Sequence, residues 1–328
     1  MNSLRMGAAS ISATSMSATS MSAASMSAIC KNLFSFLVRT FVAGRMPAAG
    51  RRLAITLGVA VVVSGLLPAQ GRAGTRCENA TISPQSAAAA AQTALTVAAA
   101  LEQRDAPAAL VARVGTDLSA QGLVYSHVGF VVRDHPAGRW TAVHLLNECG
   151  SDRSNLYTQG LVNFFADDLV NQDARIVWLR PEQAQRLAEY LRALPRGALH
   201  QPHYNLIARP GSADYQNSTA WVVETLAASL LEPADQNRLS NNRREAYRAA
   251  EHDGFRPDRI HIPYSKRVLG GLFSANVAFT DHPIGTRLAG DYPVVTVRSI
   301  IEYLERSGHV DAQREWRNGQ VMTRLGAL

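Results

Sequence analysis

Several patterns that mark common enzyme classes are missing from this chain of 328 residues. It has no H-E-x-x-H motif and no paired C-x-x-C motifs, so the sequence predicts no metal site, and no cofactor motif is present. The stretch 211–214, GSAD, lacks the closing glycine of the G-x-S-x-G nucleophile elbow. A zinc enzyme and an α/β-hydrolase are therefore not indicated.

Acidic residues are absent from residues 1–73, which hold seven arginines and lysines. The whole chain has 33 basic and 26 acidic residues, so removing those seven leaves 26 of each sign. The basic character of the chain thus belongs to its N-terminal region. A nucleic-acid-binding domain is expected to carry a basic surface of its own, so no nucleic-acid partner is predicted.

The N-terminal region has the pattern of a targeting segment. Residues 7–29 repeat Ser, Ala and Met and have little bulky apolar surface to bury. Arg51 and Arg52 then precede the apolar run 53–67, which small residues follow. A basic start, a short apolar core and a small-residue site define a signal peptide. The run is shorter than the roughly 20 apolar residues of a membrane-spanning helix.

These features predict three regions. Residues 1–45 form a low-complexity leader, which is not translated if the true start is Met46. Residues 46–73 form the signal peptide, cleaved after Ala73 or, alternatively, after Ala69. Residues 74–328 form one domain that is periplasmic or secreted and has no stable membrane span after cleavage. The alternative is that the apolar run stays uncleaved as an N-terminal anchor.

Cysteine is scarce, with three residues in the chain, and Cys30 falls in the predicted leader. Cys77 and Cys149 remain after cleavage. Two cysteines in an oxidising compartment can form one disulfide, which we predict here. The alternative is two free or lipid-linked thiols.

Helix and strand patterns alternate along residues 74–328 and predict an α+β domain with helices packed beside an antiparallel sheet. Ser83 is a predicted N-cap, and Pro84 and Pro181 suit first helical positions. Helices are predicted at 83–103, 181–194, 218–231, 236–252 and after 297, and strands at 123–133, 139–147, 174–180, 259–263, 275–280 and 293–297.

Two histidines lie in the hairpin that the strands at 123–133 and 139–147 form. If residues 134–137 make a four-residue loop, His127 stands directly opposite His144. Cross-strand partners have Cβ atoms about 4.5–5.5 Å apart. The pair is therefore a candidate general base with its orienting partner. The alternative is that one histidine is an ordinary core residue and the other is incidental.

Asn217 and Ser218 lie where a loop meets the predicted helix at 218–231. Free backbone N–H groups and the positive end of the helix dipole favour a nucleophile there, because they can hold an oxyanion. Ser218 is thus a candidate nucleophile. The alternative is that Ser218 is only a helix cap, since serine is a common N-cap.

Taken together, HVGFVVRD, AVHLLN and the later QNS resemble circularly permuted papain-like proteins, the relatives of NlpC-type peptidases that include lecithin retinol acyltransferases. The resemblance implies a catalytic role for His127 and His144, and makes Asn217 and Tyr125 candidates for substrate binding. Segments such as YQNSTAWVVE also look similar to an uncharacterised family of secreted proteobacterial proteins, a domain of unknown function.

The sequence departs from the papain-like pattern at the nucleophile, where Ser218 replaces cysteine. A serine hydroxyl must lose its proton to the base as it attacks. Two hypotheses follow. The first is a periplasmic hydrolase or acyltransferase acting on cell-envelope peptides, amides or acyl groups. The second is a catalytically inactive papain-like domain that binds a cell-envelope peptide, lipid or protein.

Overall fold

The computed structural model describes residues 82–166, 170–193, 199–230, 242–273 and 275–322. The predicted leader, the predicted signal peptide and Cys77 lie outside these residues. Cys149 is disulfide-bonded. Its pairing with Cys77 stays a prediction.

Helices and strands follow one another along the described residues. The helices are α1 (Pro84–Glu102), α2 (Leu161–Ala166), α3 (Pro181–Arg192), α4 (Ser218–Leu230), α5 (Arg243–His252), α6 (Tyr264–Phe273), α7 (Ile284–Ala289) and α8 (Val297–Arg306). The strands are β1 (Ala108–Arg113), β2 (His127–His135), β3 (Gly138–Asn147), β4 (Ser154–Gln159), β5 (Ala174–Leu179), β6 (Asp258–His261), β7 (Asp291–Val294), β8 (Val310–Arg317) and β9 (Gln320–Met322).

A seven-stranded sheet in the order β4-β3-β2-β1-β5-β8-β9 forms the centre of the fold. Each neighbouring pair of its strands is antiparallel. The α+β class predicted from sequence is therefore confirmed.

Helices cover both faces of this sheet, because its central strands alternate two apolar sets of side chains. Val128, Phe130 and Val132 of β2 join a core with helices α3, α4, α5 and α8. Val131 of β2 joins a second core with α1 and α2, to which Phe164 belongs. We call these the α4 face and the α2 face of the sheet.

Local sequence signals set several boundaries as predicted. The Ser83 hydroxyl accepts a hydrogen bond from the Ser86 amide, and Pro84 begins α1. Pro181 likewise begins α3, which buries Leu187 and Leu191 on one side. These two helix starts confirm the N-cap and proline assignments.

The strand predicted at 275–280 is wrong. The backbone of this segment is bound by a loop: the Asn205 side chain bonds both the amide and the carbonyl of Ala278, and the Leu206 amide donates to Asn276. A short 3-10 helix, Phe279–Asp281, follows. These polar groups are thus satisfied without a strand neighbour.

Strands β6 and β7 form a separate two-stranded sheet in which His261 pairs with Asp291. Helix α6 begins shortly after His261, and α7 ends shortly before Asp291. Both helices therefore lie at the same end of this small sheet. The Ile262 amide donates to the Gly290 carbonyl at 2.9 Å and closes that end.

Candidate functional site

The two histidines of the hairpin are in contact, as the sequence predicts. Nε2 of His127 lies 2.8 Å from Nδ1 of His144, within hydrogen-bond distance. The ring centroids are 5.1 Å apart and the planes are inclined by 65°. The pair is therefore a hydrogen-bonded dyad in which one imidazole donates and the other accepts.

The register of the hairpin differs from the predicted one. His135 pairs with Gly138, so the loop has two residues instead of four. Phe130 pairs with Val143, and the same register places Gly129 opposite His144. His127 is then the diagonal neighbour of His144. A shift of two residues keeps both side chains on the same face, which is why the contact survives the error.

Gly129 makes the space that the dyad occupies. A Cβ atom at this position would lie 3.0 Å from the Cβ of His144 and 3.3 Å from Cε2 of Phe164. These distances are tighter than ordinary van der Waals contact. The histidine-x-glycine pattern thus has a packing reason: a side chain at 129 would push His144 and Phe164 apart.

An arginine and a phenylalanine complete the surroundings. Arg113 of β1 pairs with His127 across the strands, and its guanidinium lies 4.8 Å from the centre of the Phe164 ring. The Phe164 ring centre lies 5.8 Å from that of His127 and 5.1 Å from that of His144. Neither Arg113 nor Phe164 was predicted from the sequence, because no motif marks them.

Burial keeps both histidines neutral. His127 is 7% exposed and His144 is 0% exposed. Burial, and then the Arg113 charge, lowers the pKa of His144 to about 3. Burial, Arg113 and His144 also hold the pKa of His127 well below its usual value. Nε2 of His144 is buried and has no hydrogen-bond partner among the described residues.

Asn217, and not Ser218, caps helix α4. Oδ1 of Asn217 accepts from the Ala220 amide at 2.7 Å and from the Thr219 hydroxyl at 3.0 Å. The alternative that Ser218 is only a helix cap is therefore wrong: Ser218 is the first residue of the helix. The Asn217 side chain is therefore committed to the helix start, and its role in substrate binding stays a prediction.

Ser218 lies beside Tyr204. Burial raises the pKa of the Tyr204 phenol to about 12, and the neighbouring Ser218 hydroxyl opposes that rise. Ser218 is 7% exposed. A phenol that stays protonated at neutral pH cannot take the serine proton, so this contact does not activate the hydroxyl.

The dyad and Ser218 lie on opposite faces of the sheet. Phe130 packs on Trp221 of α4, with ring centres 5.6 Å apart. Gly129, its neighbour in β2, faces His144 and Phe164 on the α2 face. Since successive strand residues face opposite sides, His127 faces away from α4. The expected convergence of His127, His144 and Ser218 in one cleft is therefore not found.

Tyr125 lies at a different cleft. Its hydroxyl donates to Oε1 of Glu315 at 2.9 Å, and burial followed by the Glu315 charge raises its pKa. The cleft has a volume of about 240 Å³ and is lined also by Arg175, Arg298 and Arg317. Asn217 is neither the hydrogen-bond partner of Tyr125 nor part of the lining of this cleft.

A buried ion pair connects α4 to α5 and was not predicted. The Arg243 guanidinium donates to both carboxylate oxygens of Glu224, at 2.9 and 3.0 Å. The Gln216 amide also donates to Glu224, at 2.7 Å. Burial raises the pKa of Glu224 to about 7 against the opposing effect of Arg243. The sequence gives one indication of this pair: Glu224 is an acidic residue within an otherwise apolar helix.

Comparison with family models identifies the class of protein. Residues 100–304 match the family described as an uncharacterized protein conserved in bacteria, DUF2145. The chain belongs to this family, which confirms the predicted domain of unknown function. The match spans β1 to α8 and so includes the dyad, Ser218 and the Glu224–Arg243 pair.

The other comparisons found no relatives. No curated protein and no solved structure matches the chain. Among the described residues, no helix is long and apolar enough to cross a membrane. The same residues contain no cluster of three or more histidine, cysteine or acidic side chains that could hold a metal ion.

Proposed function

We propose that this protein is an exported, catalytically silent domain that binds a component of the cell envelope. The ligand would be a peptide, lipid or protein of that compartment. One observation carries the proposal: the His127–His144 dyad lies on the α2 face of the sheet, whereas Ser218 begins a helix on the α4 face.

Geometry and protonation both weigh against a serine hydrolase. A general base must lie within about 3 Å of the hydroxyl that it deprotonates. Here the dyad lies across the sheet from α4, and Ser218 has a protonated phenol beside it. The lowered pKa values of the two imidazoles also make them weak bases at neutral pH.

The order of elements supports a papain-like origin for the domain. A strand with His127 is followed by a strand with His144 and later by Asn217 at the start of a buried helix. That order is the one that the resemblance implies. The side of the sheet on which the helix packs argues against the papain-like reaction. The domain would thus share the papain-like origin without the catalytic activity.

Labelling with a fluorophosphonate tests the proposal directly. The protein recovered from the periplasm is expected to remain unlabelled, as is its Ser218→Ala variant. A known serine hydrolase in the same reaction shows that the reagent is active. Labelling that depends on Ser218 would overturn the proposal and establish the hydrolase alternative.

An engineered thiol gives a second test. Ser218→Cys is expected to alkylate no faster than a free cysteine, because neither histidine reaches it. Ser86→Cys supplies the rate of an exposed thiol in the first turn of a helix, against which the mostly buried position 218 is compared. Faster alkylation at 218 than at 86 would contradict the silent site.

A further inference from the structure

Helices α6 and α7 expose apolar side chains in pairs. Tyr264 and Val268 are one turn apart in α6, and Ile284 and Leu288 are one turn apart in α7. Their exposed fractions are 73%, 41%, 62% and 75%, in that order. Large apolar side chains at a surface are normally scattered singly, and a group of them marks an interaction site.

The two helices that carry these pairs are in contact. Both helices lie at the same end of the β6–β7 sheet, where His261 pairs with Asp291. The Arg267 guanidinium of α6 donates to the carbonyl of Arg287 in α7. The same guanidinium lies 5.5 Å from the centre of the Tyr264 ring. We call the surface formed by α6 and α7 the α6–α7 patch.

The charge of the patch has one sign. Lys266, Arg267 and Arg287 are its charged residues, and neither helix contains an aspartate or glutamate. Asp291, at this end of the small sheet, is bound to His261 at 2.8 Å. Basic groups next to exposed apolar side chains are the pattern of helices that lie in a membrane interface.

We propose that the α6–α7 patch docks the protein on an anionic membrane surface. The apolar pairs would enter the interface, and Lys266 and Arg287 would approach the lipid phosphates. Charge complementarity favours this occupant over a second copy of the chain, since two like-charged patches would face each other across a symmetric contact. The proposal does not depend on whether Ser218 is silent.

Sedimentation with vesicles tests this proposal. The protein recovered from the periplasm is expected to sediment with vesicles that contain phosphatidylglycerol and to stay in solution with pure phosphatidylcholine. Higher salt should weaken the binding, because the charges are exposed. A juxtamembrane cation contributes about fivefold to partitioning. Lys266→Gln with Arg287→Gln is therefore expected to weaken binding by about 25-fold.

Matched variants distinguish binding through the α6–α7 patch from nonspecific binding to vesicles. Ile284→Ser with Leu288→Ser should abolish most binding, whereas Leu95→Ser, at an exposed apolar position of α1, should leave it unchanged. Arg244→Gln with Arg248→Gln, on exposed positions of α5, is the charge control.

Three results would overturn the proposal: no sedimentation with anionic vesicles, equal sedimentation with neutral vesicles, or equal losses in patch and control variants. The labelling of Ser218 is a separate experiment. Failure of membrane binding would therefore leave the proposal of a catalytically silent domain intact, and the reverse also holds.

Discussion

The side chains of His127 and His144 are joined by a 2.8 Å hydrogen bond between Nε2 and Nδ1, and Arg113 lies across from His127 on the neighbouring strand. Three groups that could all be cationic thus share a buried space. The dyad fits there because both imidazoles are neutral, and this condition makes the fold sensitive to acid.

The free energy of unfolding is expected to fall as the pH falls from about 6.5 toward 3. The pKa values of both histidines are lowered in the folded state, so the unfolded chain binds more protons in this range. Urea titrations at a series of pH values measure the effect. His127→Gln with His144→Asn should flatten this part of the profile, because these amides keep the hydrogen-bonding atoms and do not titrate.

Gly129→Ala is expected to destabilise the protein by about 1–3 kcal/mol, because the new methyl group overpacks the space against His144 and Phe164. Gly160→Ala is the control, since nothing lies within 4 Å of the position that its new methyl group would take. Thermal unfolding of the two variants checks the difference. Equal midpoints would show that Gly129 is not needed for packing.

Arg243→Met is expected to destabilise the protein by about 3–5 kcal/mol, because it leaves Glu224 buried without its cation. Adding Glu224→Gln to that variant should restore much of the loss. The double-mutant cycle, measured by urea unfolding, isolates the pair. Simple additivity of the two single changes would contradict this account.

Free-thiol titration of the denatured, unreduced protein is expected to find no thiol. Cys149 is disulfide-bonded, and Cys77 is its predicted partner. A disulfide that closes a loop of this length stabilises the protein by about 4 kcal/mol in the chain-entropy model. Two thiols per chain would refute the pairing.

Intact-mass analysis of the same material is expected to give a chain that starts near Gly74, as the pattern of Arg51, Arg52 and the apolar run predicts. Retention of Met1 or Met46 would contradict cleavage and favour the N-terminal anchor.

The sequence predicts well those features that depend on local chemistry. Ser83 and Pro84 mark the start of α1, and the alternation along β2 and β3 brings His127 and His144 to one face. The loop length was predicted wrongly, because the Pro and Gly signals of residues 134–138, DHPAG, suit more than one turn. The contact was still found, since the error was an even number of residues.

The packing of elements that are distant in the sequence could not be predicted in the same way. The pattern shows that β2 has two buried faces, but it does not show which face a helix about 90 residues later will cover. Packing of Trp221 on Phe130 decides this, and it puts Ser218 on the side away from the dyad. Strand β1 was missed for a similar reason. Its apolar run is short, and it is a strand because it pairs with β2 on one side and β5 on the other.

Strand β8 (Val310–Arg317) follows strand β5 far along the sequence, although it pairs with β5 along Ala174–Leu179. Until residues 310–317 have been synthesised, β5 presents an open row of backbone donors and acceptors to any other extended chain. A product that stops before Val310 keeps the dyad and the buried ion pair but has this exposed strand edge. Products that lack β8 are therefore expected to aggregate or to be degraded, because the edge of β5 stays unpaired.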